Sequence, residues 1–505
     1  MDNKFDVIII GAGVVGNAIA DLLSNYNLSI AVLEKEADTA FGISGRNSGV
    51  VHAGFNNPPG FLKSKLCVQG SQGFPKLAKE LGIKYKKTGK LVVAKTKDEI
   101  EEIKILIAQG KDNGVKGLSI IGPKEIEKVN SKIKGLAALY SKNTAIFYPF
   151  EYTIALAKRA HSKGVEYNFN NQVIGIEDNE SVATNRFVIK AKCDNNSIKE
   201  YSTKWLINSA GLHSDEICRL LGIYDYEIIP KRGEYHILDK RFFSDLNMPV
   251  YPVPSHETGI LGIHLTNTFY GNVLVGPSGE NIPDKEDYST AAEVMEKLLE
   301  EGRNFHEEVK SEYVIRSFSG VRPKLKLKDG KMLEDFVIKE SEEHKGFIIL
   351  TGIESPGITS SVPIAKMVLG IMKKSQKLDK RASLNMYKKP SSDNHNKIIK
   401  SAKNDSNEAS IKDTFKTEYN YKNLVCRCEQ ISEGEILKAY DDILSISAIP
   451  TLVGIKNRTR AGMGRCQGGF CQNRIINLLE KERGVNPEKL TLFNKDSIIV
   501  QGRIR

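Results

Sequence analysis

Cysteine is scarce in this chain, seven among 505 residues. That is too few for a disulfide scaffold, so the fold has to rest on its own cores and the expected compartment is reducing cytoplasm. Long apolar runs are missing too. The longest, Phe5 to Leu23, is interrupted by Asp6, Gly11, Gly13, Gly16, Asn17 and Asp21, which a spanning helix would exclude, and no transmembrane segment is expected. The opening MDNKFDV has neither a basic n-region nor a small-residue cleavage site, which argues against a secretory signal. No segment recurs with a period of about 20 to 50 residues, which removes solenoids and propellers. Motifs of hydrolases, nucleic-acid enzymes and transporters are absent, and no nucleic-acid partner is expected.

What is present is enough apolar material for sizeable cores. Hydrophobic residues make up 40% and charged residues 27%, and the length calls for two or three domains. The net charge of +11 attracts anions of any kind, so by itself it does not select between nucleic acid, anionic lipid and a small anionic substrate.

Residues 5 to 35 read as a β-α-β unit. Apolar FDVIII is followed by a glycine turn, the helical pattern VVGNAIADLLSNY, and the strand SIAVLE. Gly11, Gly13 and Gly16 form G-x-G-x-x-G between strand and helix. The first permits the tight turn, the second lets backbone approach a pyrophosphate, and the third, with Ala20, allows close helix packing. The helix N-terminus then faces the diphosphate. Glu34 closes the next strand, where a carboxylate accepts hydrogen bonds from ribose hydroxyls and repels a 2′-phosphate. These residues predict a dinucleotide site, with FAD and NAD both open at this point.

Further along, KLVVAK and charged helical patterns alternate from about 80 to 145, Tyr152 to Lys163 reads as helix, and KWLINSAG near 204 to 211 reads as strand. Residues 226 to 280 are dense in strand-like segments and proline. GFIILTGI, a Ser-Pro-Gly turn and the helix VPIAKMVLGIMKK then close the first fold by residue 374. Residues 375 to 420 are polar and lysine-rich, with the composition of a linker.

Cys67, Cys193 and Cys218 are scattered, but Cys426, Cys428, Cys466 and Cys471 crowd the C-terminal end as C-x-C-x37-C-x4-C. In an extended chain the first two point to one side and can converge on one iron. Gly468 and Gly469 let backbone N–H groups turn toward inorganic sulfide, and the helix that begins at QNRIINLLEKE aims its positive end at an anionic cluster. Ser432 and Glu435 form a capping box after the first pair. A 2Fe-2S cluster is the reading preferred over zinc, whose sites more often use C-x2-C or C-x4-C at both ends. Arg458, Arg460 and Arg465 add positive charge nearby, either to raise the cluster potential, to dock an acidic partner, or as a solvated face.

The run Ser44-Gly45-Arg46-Asn47-Ser48-Gly49-Val50-Val51-His52-Ala53-Gly54 resembles the flavin-facing loop of the D-amino acid oxidase-like flavoprotein superfamily. Within it the chain is similar to the L-2-hydroxyglutarate dehydrogenases, which carry a like N-S-G-V-x-H-A-G string and a helix like Lys63 to Gly70. Arg46 departs from them, since those relatives commonly have His there. Leu206 to Gly211 with Ser214-Asp215, Val173 in NNQVIGIE, Arg232 to Tyr235, Gly271 to Pro277, Gly320 to Lys324 and Gly352 to Thr359 extend the likeness over most of residues 5 to 370. The resemblance implies FAD, held by Gly11, Gly13, Gly16, Glu34, Arg46, Asn47, Ser48, Val173, Gly211, Gly352, Gly357, Ile358 and Thr359. It also makes His52 and His264 the candidate bases and Arg322 the anion anchor, with Lys324 and Arg46 behind it.

The C-terminal pattern resembles the bacterioferritin-associated ferredoxin-like 2Fe-2S domains. FAD and such a cluster occur together in the A-subunit family of anaerobic glycerol-3-phosphate dehydrogenases, which the whole chain resembles.

The expected fold is therefore α/β: a Rossmann-like FAD-binding domain (about 1–80, 150–225 and 315–374) with a mainly β substrate domain (about 81–149 and 226–314). A linker over 375–420, a small helical iron-sulfur domain over 421–482 and a tail over 483–505 complete it. The expected activity is dehydrogenation of a small anionic alcohol, glycerol 3-phosphate or L-2-hydroxyglutarate, with electrons leaving through the cluster to a second redox protein or subunit. Any membrane association would be peripheral and through that partner. The competing readings are an amine or imino-acid dehydrogenase of the proline, sarcosine or opine type, and a non-catalytic electron-relay subunit.

Overall fold

The computed structural model describes residues 3–181, 185–254, 262–381, 419 and 421–502. The expected polar linker falls outside the described residues over 382–418 and at 420, as do 255–261 within the strand-rich stretch.

The first sheet has eight strands and is built around Lys4–Ile10. Its Val-Ile-Ile-Ile run is buried on both faces, as a central parallel strand requires. Ile30–Leu33 and Ile198–Asn208 flank it in parallel. Glu166–Asn168 extends one side. On the other side Phe347–Thr351 runs parallel to Ile198–Asn208, and Phe187–Cys193 and Asn171–Asp178 fold against it antiparallel. Helices Val14–Leu23, Leu62–Leu81, Pro149–Ser162 and Gly357–Ser375 pack together over this sheet, sharing one apolar cluster with Val7, Ile9 and Val32.

The second sheet has ten strands. Its spine is the long antiparallel pair Tyr226–Leu238 and Val314–Leu327. Lys90–Ala94, Ala137–Ser141 and Leu118–Ile121 join its far side through Val250–Pro252. The two segments read as parts of one substrate domain supply strands to this one sheet. Val314–Leu327 belongs to it as well, so the chain returns to the first sheet with Val337–Glu340 and Phe347–Thr351 rather than near 315.

The C-terminal unit is small and helical. A two-stranded ladder, Leu424–Cys426 with Ile431–Ser432, leads into helices Glu433–Leu444, Leu452–Thr459 and Gln472–Arg483. The capping box forms as read: Ser432 Oγ accepts the Glu435 N–H at 3.3 Å and the Glu435 carboxylate accepts the Ser432 N–H at 2.8 Å. No helix among the described residues is long and apolar enough to cross a membrane.

This unit is seated on the two-sheet body. Ile443, Ile455 and Leu479 belong to the same apolar cluster as Val7 and Leu156. Arg458 forks onto Asp38, the two side chains being 6% and 0% exposed. Lys158 Nζ reaches Asp442 at 2.7 Å. Arg460 donates to Asn272 Oδ1 at 3.1 Å and to Glu429 at 2.9 Å while covering the Tyr270 ring, and Arg465 Nε lies 3.1 Å from Asp239. The three arginines marked in the sequence as potential tuners or as a partner surface are therefore engaged in seating the small domain. Asp38 and Asp239, distant in sequence, take the charge of Arg458 and Arg465, and Glu429 of the same unit takes that of Arg460.

Replacing Arg458 by Ala strands the Asp38 carboxylate in a dry interface and is expected to cost about 3 to 5 kcal/mol. Urea denaturation measures this, and the double variant with Asp38→Asn should recover most of the loss.

Candidate active site and cluster site

A cavity of about 720 Å³ opens where the two sheets meet, at the carboxyl ends of the central parallel strands marked by Ile10, Glu34 and Leu350. This is the crevice in which open α/β sheets take their ligands. Every site residue expected in the first 374 residues lines it except Gly16, Gly352 and the backup cation Lys324. Gly16 acts one layer behind: a Cβ there would sit 2.0 Å from the Gly11 carbonyl oxygen, so its absence is what lets helix and strand end touch. Gly352 forms a turn against Leu325.

At one end the chain builds a dinucleotide cradle. Gly11 has φ +101°, and a Cβ there would meet the Ser209 carbonyl oxygen at 2.7 Å. Gly13 caps the helix Val14–Leu23 without a side chain, leaving its positive end open to the cavity. Ser44 Oγ accepts the Val14 N–H at 2.9 Å, tying the following loop over that end. Glu34 is held by the Ala12 N–H at 2.6 Å and the Glu36 N–H at 2.9 Å. Burial nonetheless raises its pKa to about 7, so the carboxyl gains from any hydroxyl donor that reaches it. Asn171 to Ile174, with Val173 among them, form the facing wall. This donor and acceptor set fits an FAD diphosphate and ribose.

At the other end Arg322, His52 and His264 come together. Arg322 Nη2 donates to the Ser278 carbonyl at 2.6 Å, and among the described residues the guanidinium has no carboxylate partner. His264 is 3% exposed, stacks on Tyr251 at 3.7 Å, and places Nδ1 3.0 Å from the Gly262 carbonyl. That bond fixes Nδ1 as the donor and leaves Nε2 as a free acceptor in the neutral ring. His52 Nε2 faces the Ser355 hydroxyl at 3.4 Å, and its backbone N–H donates to Thr359 Oγ1 at 3.1 Å. Burial, above all, lowers both imidazoles to about 3, and the nearby Lys90 charge pushes the same way.

Two backup cations behave differently. Lys324 is paired with Glu354 at 2.8 Å and does not line the cavity. Arg46 does, with its guanidinium 4.1 Å over the Tyr288 ring and its Nε buried without a hydrogen-bond partner.

Lys90 and Tyr251 were missed by sequence reasoning. Lys90 is 1% exposed, its ammonium wedged between the rings of Tyr251 (4.2 Å) and Phe55 (4.6 Å), and burial lowers its pKa to about 7. A single lysine opening the apolar strand KLVVA was the only signal, and a strand end is an ordinary place for one.

The four C-terminal cysteines meet as two pairs. Cys428 and Cys466 have their Sγ atoms 3.6 Å apart, and Cys426 shares a hydrogen bond with Cys471 that helps hold its thiol down at about 6. Each member of C-x-C thus pairs with a member of the distal pair, where the spacing had suggested convergence within C-x-C. The Phe470 and Gly468 N–H groups point at the Cys466 sulfur and lower its pKa. Two thiol pairs with inward N–H donors fit a two-iron cluster with two cysteines per iron. No three Cys, His, Asp or Glu side chains among the described residues converge as ligands of a single ion.

With this geometry in view, residues 6–369 match the family model of FAD dependent oxidoreductases and residues 424–481 match the BFD-like [2Fe-2S] binding domain. The chain belongs to the FAD-dependent oxidoreductases of the D-amino acid oxidase type; it is a flavoprotein enzyme that carries FAD and a 2Fe-2S cluster. More particularly, it is 36% identical to the glycerol 3-phosphate dehydrogenase of Caloramator mitchellensis, across 99% of this chain and 98% of that one. The human mitochondrial L-2-hydroxyglutarate dehydrogenase is 32% identical over 72% of this chain and 88% of its own. Among solved structures, FAD-bound L-alpha-glycerophosphate oxidase from Mycoplasma pneumoniae superposes with a TM-score of 0.69 at 26% identity, covering 76% of this chain and 97% of that one.

The buried neutral histidines set an acid limb to stability. Unfolded, each takes a proton near its ordinary value of about 6.5, whereas folded it resists until about 3, so stability falls as pH drops through that window. His264→Gln should flatten the limb by up to about 1.4 kcal/mol per pH unit, as read by denaturation of the FAD-free protein between pH 4 and 7.

Proposed function

We propose that the protein is a dehydrogenase of a small anionic alcohol, glycerol 3-phosphate first and L-2-hydroxyglutarate second. In this reading it exports the electrons through its cluster to a separate redox protein. The observation that carries the reading is Arg322. A guanidinium lines the cavity without a carboxylate partner among the described residues, beside two imidazoles whose acceptor nitrogens are held neutral. The full-length relative named for glycerol 3-phosphate supports the same choice.

FAD, when bound, supplies the two-electron acceptor for the carbinol hydrogen. The protein's own groups do the rest. Arg322 grips the phosphate or carboxylate through parallel charge-assisted bonds and so fixes which carbon is presented. The alcohol proton passes to Nε2 of His264 or His52, a transfer open to a neutral imidazole and closed to a protonated one. Lys90, stacked behind Tyr251, adds positive potential that favours the alkoxide-like oxygen as that proton leaves. Gly11, Gly13, Glu34, Val173 and the loops at Arg46–Ser48, Gly211 and Gly357–Thr359 hold the cofactor.

Electrons leave at the exposed edge of the small domain. Cys466 is solvent-exposed, and Phe470, 37% exposed, lies between the guanidinium groups of Arg427 (4.8 Å) and Arg474 (4.3 Å). This cationic, aromatic edge suits a carrier with an acidic rim around its redox group. The chain works in the cytoplasm, and any contact with a membrane is made by that carrier.

Anaerobic substrate addition tests the reading. Glycerol 3-phosphate should bleach the flavin absorbance, whereas bleaching by proline or sarcosine alone would move the enzyme to CH–NH chemistry, and no bleaching with both cofactors intact would make it a relay. Arg322→Ala should raise KM for the anionic substrate about 10 to 100-fold.

The cluster should analyse as about two irons and two acid-labile sulfides per chain. Cys466→Ser should leave flavin bleaching intact and stop reduction of the external carrier. Transfer at the wild-type rate would mean that electrons exit directly from the flavin.

A further inference from the structure

The segment beyond the matched cluster domain doubles back onto the flavoprotein body as a tight turn, 492–497. The turn holds its own shape: Ser497 Oγ accepts the N–H groups of Phe493 and Asn494, both at 2.8 Å, and the Leu492 N–H donates to the Ser497 carbonyl at 2.9 Å. It is tied at both sides. The Thr491 and Leu492 carbonyls accept the N–H groups of Leu452 and Val453, the first residues of a helix in the cluster domain, at 3.0 and 2.9 Å. Lys495 Nζ donates to the Asp194 carbonyl at 3.0 Å.

Between those ties Phe493 stacks on Phe41 with ring centroids 4.7 Å apart, and Phe493 and Asn494 line the same cavity as Glu34 and Val173. Both anchors on the flavoprotein side border the dinucleotide end. Phe41 belongs to the loop whose Ser44 ties down over the N-terminus of helix Val14–Leu23. Asp194 accepts from Asn170 Nδ2 at 2.7 Å, next to the wall formed by Asn171 to Ile174. The turn therefore reaches from the diphosphate side to the wall facing Glu34.

We infer that this C-terminal turn is part of the FAD site, a strap over the adenosine half of the cofactor with Phe493 and Asn494 as its binding residues. The inference rests on the reading that adenosine lies between Glu34 and Val173. Covering that half removes water from a ring system and from a carboxylate already strained by burial, and it slows the escape of the end that anchors the whole molecule. It also makes cofactor retention depend on the seating of the cluster domain, because the strap hangs from that domain's helix at one side and from the flavin domain at the other.

The test uses the full-length protein and two probes, FAD and ADP, the latter sharing only the adenosine diphosphate half. FAD release is followed by the rise of free-flavin fluorescence, and ADP binding to the FAD-stripped protein by calorimetry. Phe493→Ala should weaken both ligands about tenfold, with the iron content unchanged. Lys495→Ala, which frees one tie, should speed FAD release by a smaller factor. Glu34→Gln checks the placement separately. If it weakens ADP while Phe493→Ala and Lys495→Ala change neither ligand, the strap is overturned and the placement stands. If none of the three alters ADP binding, the adenosine placement fails and the inference with it. Should Phe493→Ala lose iron or fold poorly, Phe493→Leu and Lys495→Ala carry the same comparison. Weakened FAD with unchanged ADP would also overturn it, since the turn would then act on another part of the cofactor.

Discussion

The contact between the Gly16 Cα and the Gly11 carbonyl is the constraint on which the rest of the molecule depends. Because nothing larger than hydrogen fits there, the first helix lies directly against the end of the central strand, and its unsatisfied N–H groups face the cavity. A side chain at Gly16 would lift the helix, tilt its positive end away, and open the floor of the cofactor cleft. Glu34, one strand over, is positioned by the same contact, since its carboxylate is held by the Ala12 N–H in that turn. The second sheet then needs only to close the other side, which it does by bringing in Arg322 from Val314–Leu327 and His264 from His264–Asn267, two strands of that sheet that are not adjacent.

The two ends of the cavity carry different sets of charges. The dinucleotide end presents a helix N-terminus and one carboxylate that burial drives toward neutrality. The opposite end holds Arg322, which has no carboxylate partner among the described residues, a buried lysine and two imidazoles that burial holds uncharged. Such an arrangement costs folding energy, because the buried Lys90 ammonium lies against the rings of Phe55 and Tyr251 and has no carboxylate partner among the described residues. It is the set of groups that the proposed oxidation of an anionic alcohol calls for.

The cluster domain is part of the same solid. Its core merges with that of the first domain, and Arg458, Arg460 and Arg465 form the fastenings. A tethered carrier would show a polar, self-contained surface on that side. Here the short-range ties leave the cluster edge with Cys466, Phe470, Arg427 and Arg474 as the part that faces outward. In the proposed route, transfer inside the chain would cross this fixed interface, and only the transfer to the outside carrier would need a diffusional partner.

Much of this was written in local sequence. The glycine turn, Glu34 and the strand-helix-strand rhythm specify a dinucleotide fold because each depends on backbone conformations that few residues accept. The C-terminal cysteines specify a cluster because thiolate ligands are irreplaceable, and the Ser432–Glu435 capping box is purely local and was legible for that reason. Which thiol pairs with which was not, since spacing within C-x-C says nothing about the chain 37 residues away. The partners of Arg458, Arg460 and Arg465 were invisible for the same reason: Asp38, Asn272 and Asp239 lie in other parts of the chain, and a guanidinium in sequence looks the same whether solvated or buried. Sequence alone determined the cofactors and the class of chemistry. Tertiary structure decided that the domains form one body, that Lys90 stands behind the histidines, and that the C-terminal turn reaches the cofactor cleft, because burial and long-range charge pairing exist only once distant segments are packed together.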